Sequence, residues 1–269
     1  MSIVSAFLVP GNPLPFLHPE NPAWAGLATG AREAGRALAE SKPDVILMYS
    51  TQWMAVLDQL WQTREHSTGV HVDENWYEFG DLQTDLRIDV PLALACIEAS
   101  TRAGLRSKAI DYEGFPIDTG TIVANGFLNP GSKVNVVIGA NNLYHDFAKT
   151  ELLGKLAAEQ AELQGKRVAV VGVGGLSGKF FDQKLDITTD HIRGETDDEL
   201  NRKLLSLMEA GDIDGLRAWL PDYVAETGAD MGMKHMAWIL GATGVFSGAK
   251  TLAYGPTYGA GAAVVQFAV

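Results

Sequence analysis

The sequence predicts a single-domain α/β fold over residues 1–269: a central mixed, mostly parallel sheet with helices on both faces, in three αβα layers. Three observations carry this prediction. Short β-branched runs alternate with stretches of helical periodicity along the chain, as in repeated βαβ units. The strong strands end in Gly, Pro, Asn or Ser, which gathers loops at the carboxyl ends of strands, where such folds place their chemistry. No linker, low-complexity tract or internal repeat interrupts the 269 residues, a length suited to one large domain.

The elements follow in order. Ile3 to Val9 is an apolar run that reads as a buried strand, stopped by Pro10, Gly11, Pro13 and Pro15, residues that end ladders and helices. Asn21 can cap a helix from Pro22 to Glu40, with Leu27, Ala31, Ala34 and Leu38 as its apolar stripe. Val45 to Tyr49 is a second buried strand, ending at Ser50-Thr51-Gln52-Trp53. Arg64 to Leu86 reads as an irregular polar segment. Asp89 can cap a helix from Val90 to Ala103, Lys108 to Tyr112 suits a short strand, and Asp118 to Thr121 opens a helix or turn. Val134 to Ile138 is a third strong strand, followed by a helix from Lys149 to Leu163. The fourth strand, Arg167 to Val171, runs into the loop Gly172-Val-Gly-Gly-Leu-Ser-Gly178. Thr196 and Glu199 are spaced as a capping box for a helix to Ala210. Helical pattern resumes from Gly215 to Thr227 with a break at Pro221, and again from Met231 to Gly241. A Gly-rich turn region and a last strand, Ala262 to Ala268, complete the chain.

Composition excludes several function classes. The net charge of −12 disfavours nucleic acid, whose binding rests on phosphate neutralisation by Lys and Arg, and disfavours anionic membrane surfaces. No apolar run reaches the ~20 residues of a membrane span, and no basic segment after Met1 marks a signal peptide. One cysteine, Cys96, in an apolar helical pattern permits no internal disulfide and suits a reducing cytoplasm. It reads as a small core residue, since a reactive thiol needs an electropositive, accessible setting.

Candidate sites compete with blander readings. The loop Pro10-Gly11-Asn12-Pro13 sits where active-site loops sit, yet Asn12 is its only polar side chain. The 172–178 loop suggests a nucleotide-binding module, but G-x-G-x-x-G would need glycine at Ser177, and Lys179 to Asp182 is no clear helix start. The plainer reading, a tight turn allowing close backbone approach, is favoured. His66 and His71, five apart, could ligate a metal together, and His145, Asp146 and His191 offer a relocated metal site. Otherwise these are surface or capping histidines. No G-x-S-x-G elbow surrounds Ser50 or Ser177. Trp24, Trp53, Trp61, Trp76, Tyr77 and Phe79 belong in a core or, in the 64–86 segment, at a docking surface or lid.

Taken together, four strand-end segments resemble the class III (LigB-like) extradiol dioxygenases. Phe7-Leu-Val-Pro-Gly-Asn-Pro-Leu14 resembles the family's first metal loop, and Tyr49-Ser-Thr-Gln-Trp53 the second. Asp118-Thr-Gly-Thr121 is similar to the loop carrying a hydrogen-bonding residue beside the metal, and Gly175-Leu-Ser-Gly178 to the turn carrying the proton-transfer histidine. The order and spacing fit across nearly the whole chain. Within the family the likeness is to the members that open 2-aminophenol, built from two homologous subunits.

The departures decide what the resemblance implies. The first ligand position is Gly11 and the second Gln52; the neighbouring position is Thr119 and the acid/base position Gly178. The third ligand, a glutamate in the family, falls near Glu226, Asp230 or Lys234. Ring-cleaving extradiol chemistry needs Fe(II) held by two imidazoles and a carboxylate with open positions. Glycine offers no ligand atom and glutamine a poor one, and loss of the acid/base removes about 10²–10⁴-fold of proton-transfer catalysis. The resemblance therefore implies a non-catalytic alpha subunit with no iron or other cofactor of its own. It would pair with a homologous catalytic beta subunit that holds Fe(II), in an alpha2beta2 (two-plus-two) heterotetramer.

Overall fold

The computed structural model describes residues 3–178 and 184–269; the Lys179 to Asp182 segment lies outside them. Elements follow in chain order as β1 (Ile3–Val9), α1 (Leu14–Leu17), α2 (Ala25–Ser41), β2 (Val45–Ala55), β3 (Gln59–Gln62), β4 (His66–His71), β5 (Leu82–Arg87) and α3 (Val90–Arg102). Then come β6 (Ser107–Ile110), α4 (Thr119–Leu128), β7 (Asn135–Asn142), α5 (Phe147–Leu163), β8 (Val168–Val173), α6 (Asp197–Glu209), α7 (Ile213–Thr227), α8 (Lys234–Thr243), β9 (Ala249–Thr257) and β10 (Ala260–Phe267).

Among the described residues eight strands form one sheet in the order β6-β3-β7-β2-β8-β1-β10-β9. Its centre, β7-β2-β8-β1, is parallel. The hydrocarbon runs of β1, β2 and β8 are buried throughout or nearly so, as strands covered on both faces must be. β10 and β9 add antiparallel strands on one side, and β3 meets β7 antiparallel on the other. Side chains alternate across a strand, so neighbours on β2 report both layers. Tyr49 stacks on Trp238 of α8 at 5.6 Å, whereas Ser50 bonds Asp118 before α4. Helices α2 and α4 cover one face, and α3, α5 and α8 the other.

Several local expectations are corrected. The helix expected from Pro22 starts at Ala25, because Asn21 makes a turn instead: its Oδ1 accepts from Ala23 N–H at 3.0 Å and its carbonyl from Ala25 N–H at 2.8 Å. The Thr196/Glu199 capping box does not form. Thr196 already has helical φ and ψ (−99°, −11°) and makes no side-chain cap bond, and Asp197, Asp198 and Glu199 complement the helix dipole instead. Pro221 does not break α7, which runs through it on the buried side chains of Leu216, Leu220 and Tyr223. The "irregular" 64–86 segment contains the hairpin β4–β5, paired from His66↔Arg87 to His71↔Leu82. The Gly-rich region before the last strand contains β9. Trp24, Trp53 and Trp61 are core, and Tyr77 is exposed. Cys96 is buried on α3, where desolvation pushes its thiol far up. No helix of the described residues is long and apolar enough to cross a membrane.

Candidate functional site

At the carboxyl end of β2 the register with β7 shifts between Ser50 and Met54, and Ser50, the last residue before the shift, and the two that follow it reach three different neighbours. Ser50 Oγ donates to Asp118 Oδ1 at 2.6 Å. Thr51 Oγ1 donates to Asp230 Oδ2 at 2.8 Å. Gln52 turns to the β1 loop: its Nε2 lies 3.0 Å from where a Cβ on Gly11 would stand, with the Gly120 Cα 3.1 Å from that same point. The space beside Gly11 is thus already bounded by an amide and a backbone.

Asp118 binds two parts of the site. Besides holding Ser50, its Oδ1 accepts from Thr121 N–H at 3.0 Å and caps α4. Gly120 completes the fit, since a Cβ there would stand 2.7 Å from Ser50 Oγ. Asp118→Ala is expected to lower stability by about 1–2 kcal/mol, the usual range for a lost N-cap. Asp118→Asn should lose less, and urea denaturation of the two variants measures the difference.

Thr119 faces the hairpin. Its hydroxyl donates to Asp73 Oδ2, and His71 Nε2 lies 2.8 Å from the same oxygen. A threonine hydroxyl has one hydrogen. With that hydrogen on Asp73, His71 is the donor at Nε2. The excursion between β4 and β5 is clasped to the head of α4 by this trio, and Asn75, Trp76 and Phe79 beyond it wall a cavity of about 870 Å³ together with Asn12, Ile187 and Tyr258.

On the α8 side Asp230 Oδ2 also accepts from Gly175 N–H at 2.8 Å. A Cβ at Gly174 would stand 2.8 Å from His235 Nδ1 and 2.9 Å from Asp230 Oδ2, so these two groups crowd one point under the β8 loop. His235 is fully buried, and desolvation pushes its pKa down to about 4 against the pull of the Asp230 carboxylate. Lys234 points to the end of β7, donating to Asn142 O at 2.9 Å and to Asn141 Oδ1 at 3.3 Å. Burial holds its ammonium below the ordinary lysine range, with Asp146 pulling the other way. Asn141 in turn accepts from Tyr49 OH at 3.0 Å and donates to Thr51 O at 2.9 Å.

The structure thus brings Gly11, Gln52 and the Thr119-Gly120 turn together. Gly178 stands apart from them, with Gly228 O, 4.0 Å from its would-be Cβ, the one near atom among the described residues, but shares the large cavity with Asn12. Of the acidic candidates, Asp230 joins the cluster while Glu226 is exposed on α7. His66 and His71 do not act together: His66 pairs with Asp85 at 2.8 Å and His71 with Thr119. Asp146 caps α5 through Lys149 N–H, half-buried His145 lies at its N-terminus, and His191 bonds Thr189 O at 3.1 Å. No group of three or more His, Cys, Asp or Glu among the described residues is arranged to hold a metal. Two of the 172–178 glycines serve close packing: a Cβ on Gly172 would stand 2.5 Å from His235 O, and one on Gly174 meets His235 and Asp230 as above. The pairing of His71 and Asp73 with Thr119 escapes sequence reasoning because they lie 48 and 46 residues from it; Asp118 is legible as a helix opener, but its bond to Ser50 is not.

The donors at the strand ends do not suit Fe(II). Gly11 contributes no atom and Gln52 turns an amide nitrogen into that space. The Asp230 carboxylate oxygen is taken by Thr51 and Gly175, and Lys234 brings a positive charge to the same end of the sheet. A 2-His-1-carboxylate arrangement has no counterpart among the described residues.

Residues 16–266 match the family model described as the catalytic LigB subunit of aromatic ring-opening dioxygenase. The chain is 51% identical over 271 residues, covering 100% of both chains, to a 2-aminophenol 1,6-dioxygenase alpha subunit of Pseudomonas sp. It is 26% identical to a Pseudomonas sp 2-aminophenol 1,6-dioxygenase beta subunit, over 98% of this chain and 93% of that one. It is 23% identical to the 3,4-dihydroxyphenylacetate 2,3-dioxygenase of Escherichia coli, over 81% and 80%. Among solved structures, an uncharacterized protein of Escherichia coli K12 shares the fold, with a TM-score of 0.68 at 14% identity over 98% of this chain and 99% of that one.

Proposed function

The chain belongs to the LigB family of aromatic ring-opening dioxygenases, and from that premise we propose that it is the non-catalytic alpha subunit of a 2-aminophenol 1,6-dioxygenase. The full-length likeness to an alpha subunit supports the assignment. The observation that carries the non-catalytic part is the donor-poor strand end, where Gly11 offers no ligand atom and faces the Gln52 amide; the family resemblance aligns these two with its histidine ligands. On this reading the homologous beta subunit holds Fe(II) and opens 2-aminophenol with O₂ to 2-aminomuconate 6-semialdehyde, in a cytoplasmic alpha2beta2 heterotetramer. Gly11, Gln52, Thr119 and Gly178 are the vestigial positions, and this chain carries no cofactor. What its residues do is structural: Ser50 and Thr51 are hydrogen-bonded to Asp118 and Asp230 and Gln52 lies against the β1 loop, so the end of the sheet is held without a central ion.

The test is purification of the chain alone and with its beta subunit, each loaded anaerobically with Fe(II). Iron content and O₂ uptake with 2-aminophenol are then measured. The expected result is iron and turnover in the complex, with neither in the isolated chain. Stoichiometric iron with turnover in the isolated chain overturns the assignment and revives the site built on His145, Asp146 and His191.

A further inference from the structure

A second cavity, of about 600 Å³, opens between the C-terminal halves of α2 and α4, the helix length of α4 away from the strand-end cluster. Its floor is apolar, built from Phe16, Leu38, Phe127, Leu128 and Val134. Phe16 packs edge-on against Phe127 at 4.9 Å, and only a glycine at 126 admits it, since a Cβ there would stand 2.7 Å from the Phe16 ring. The rim carries Arg32, Arg36, Lys42 and Lys133, and no acidic side chain lines the cavity.

That charge pattern stands out in this chain. Acids outnumber Lys and Arg by 33 to 21, and ten other Lys and Arg side chains are ion-paired. None of the four rim cations has an ion-pair partner among the described residues, and all four are exposed. Helix dipoles explain part of the cluster, because Lys42 closes α2 at its carbonyl end. Arg32 lies mid-helix and gains nothing that way. Arg32 and Arg36 are four apart on α2, which puts two guanidinium groups on one side of the opening.

We propose that this cavity binds a small amphipathic carboxylate, with an apolar or aromatic body on the Phe16–Phe127 floor and its carboxylate held by Arg32 and Arg36. The volume is that of a small-molecule site, and guanidinium is suited to paired hydrogen bonds with a carboxylate. A neutral apolar ligand leaves the four cations unanswered, and a bare inorganic anion leaves the apolar floor in water. The inference is independent of the subunit assignment.

The probe is octanoate, titrated calorimetrically into the full chain beside neutral octanamide and inorganic phosphate. Octanoate is expected to bind with one site, at least about tenfold more tightly than either comparator, and to weaken as salt shortens the screening length to a few ångströms. Arg36→Glu with Lys133→Glu should reduce affinity about tenfold or more, the cost of about 1.4 kcal/mol. Arg36→Gln with Lys133→Gln, gentler on folding, should reduce it in the same direction. Reversal of two cations remote from the cavity, Arg102→Glu with Lys155→Glu, should leave binding unchanged. Equal binding of octanoate and octanamide, phosphate binding equal to octanoate, no saturable binding up to about 10 mM, or binding unaffected by the Arg36 and Lys133 variants overturns the proposal.

Discussion

Gly241→Ala is expected to lower stability by about 3 kcal/mol or more, at the upper end of what overpacking does in a close-packed interior. Helices α5 and α8 meet backbone to backbone. A Cβ at Gly241 would stand 1.8 Å from Glu151 O, and one at Gly154 would stand 2.3 Å from Trp238 O. Both obstacles are main-chain atoms of the opposite helix, which cannot rotate aside as a side chain can, so the helices must separate. Separation loosens a contact that holds the wholly buried α8 over β8 and β2. A chain of this length loses roughly 2–4 °C of melting temperature per kcal/mol, so a fall of about 6–12 °C is expected in a thermal melt. Gly26→Ala is the comparison, because a Cβ there meets nothing within 4 Å. In the first turn of α2 it should be neutral or stabilising by up to about 1 kcal/mol. Equal melting temperatures for the two variants would show that α5 and α8 do not cross as closely as described.

The second large effect is one of acidity. Wholly buried His235 has its pKa pushed down to about 4, whereas an unfolded histidine titrates near 6.5. Between those values the unfolded chain binds a proton that the folded chain refuses, so stability falls as pH drops through the window. The full effect of one such group is about 3 kcal/mol, reached near pH 4 and flat below it. Urea denaturation from pH 7 to 4 measures it, with His235→Gln as the reference that lacks the titrating group. The variant's stability should depend less on pH by that increment, whatever its absolute stability at pH 7. Parallel curves for the two proteins would exclude His235 as the source.

What the sequence reveals follows burial. The central strands are legible because both of their faces are covered, which makes Val45–Tyr49 and Val168–Val171 continuous apolar runs. The hairpin is not legible, because β4 reads His-Ser-Thr-Gly-Val-His and is largely exposed. β9 is obscured by Gly255 and Pro256, which it tolerates at the margin of the sheet. The site divides the same way. Gly11 and Gln52 stand out only beside a family pattern, since neither has a reactive group of its own. The partners of Thr119 come from the hairpin that the sequence hides, and the role of Asp230 depends on three left-handed residues, Met231, Gly232 and Met233, that reshape the start of α8.

The clasp of Thr119 by Asp73 and His71 bears on how such a subunit could change over time. A group that moves protons or binds substrate must keep a lone pair or hydrogen unspent, and that idleness is a standing instability. Here the hydroxyl at that position has its hydrogen and one lone pair engaged in holding the hairpin. The amide of Gln52 likewise lies against the space beside Gly11. On the proposed assignment, a single step back at Gly11 or Thr119 crowds or breaks a contact before any iron can bind to compensate. The loss of chemistry then acts as a ratchet, and reactivation requires several substitutions at once.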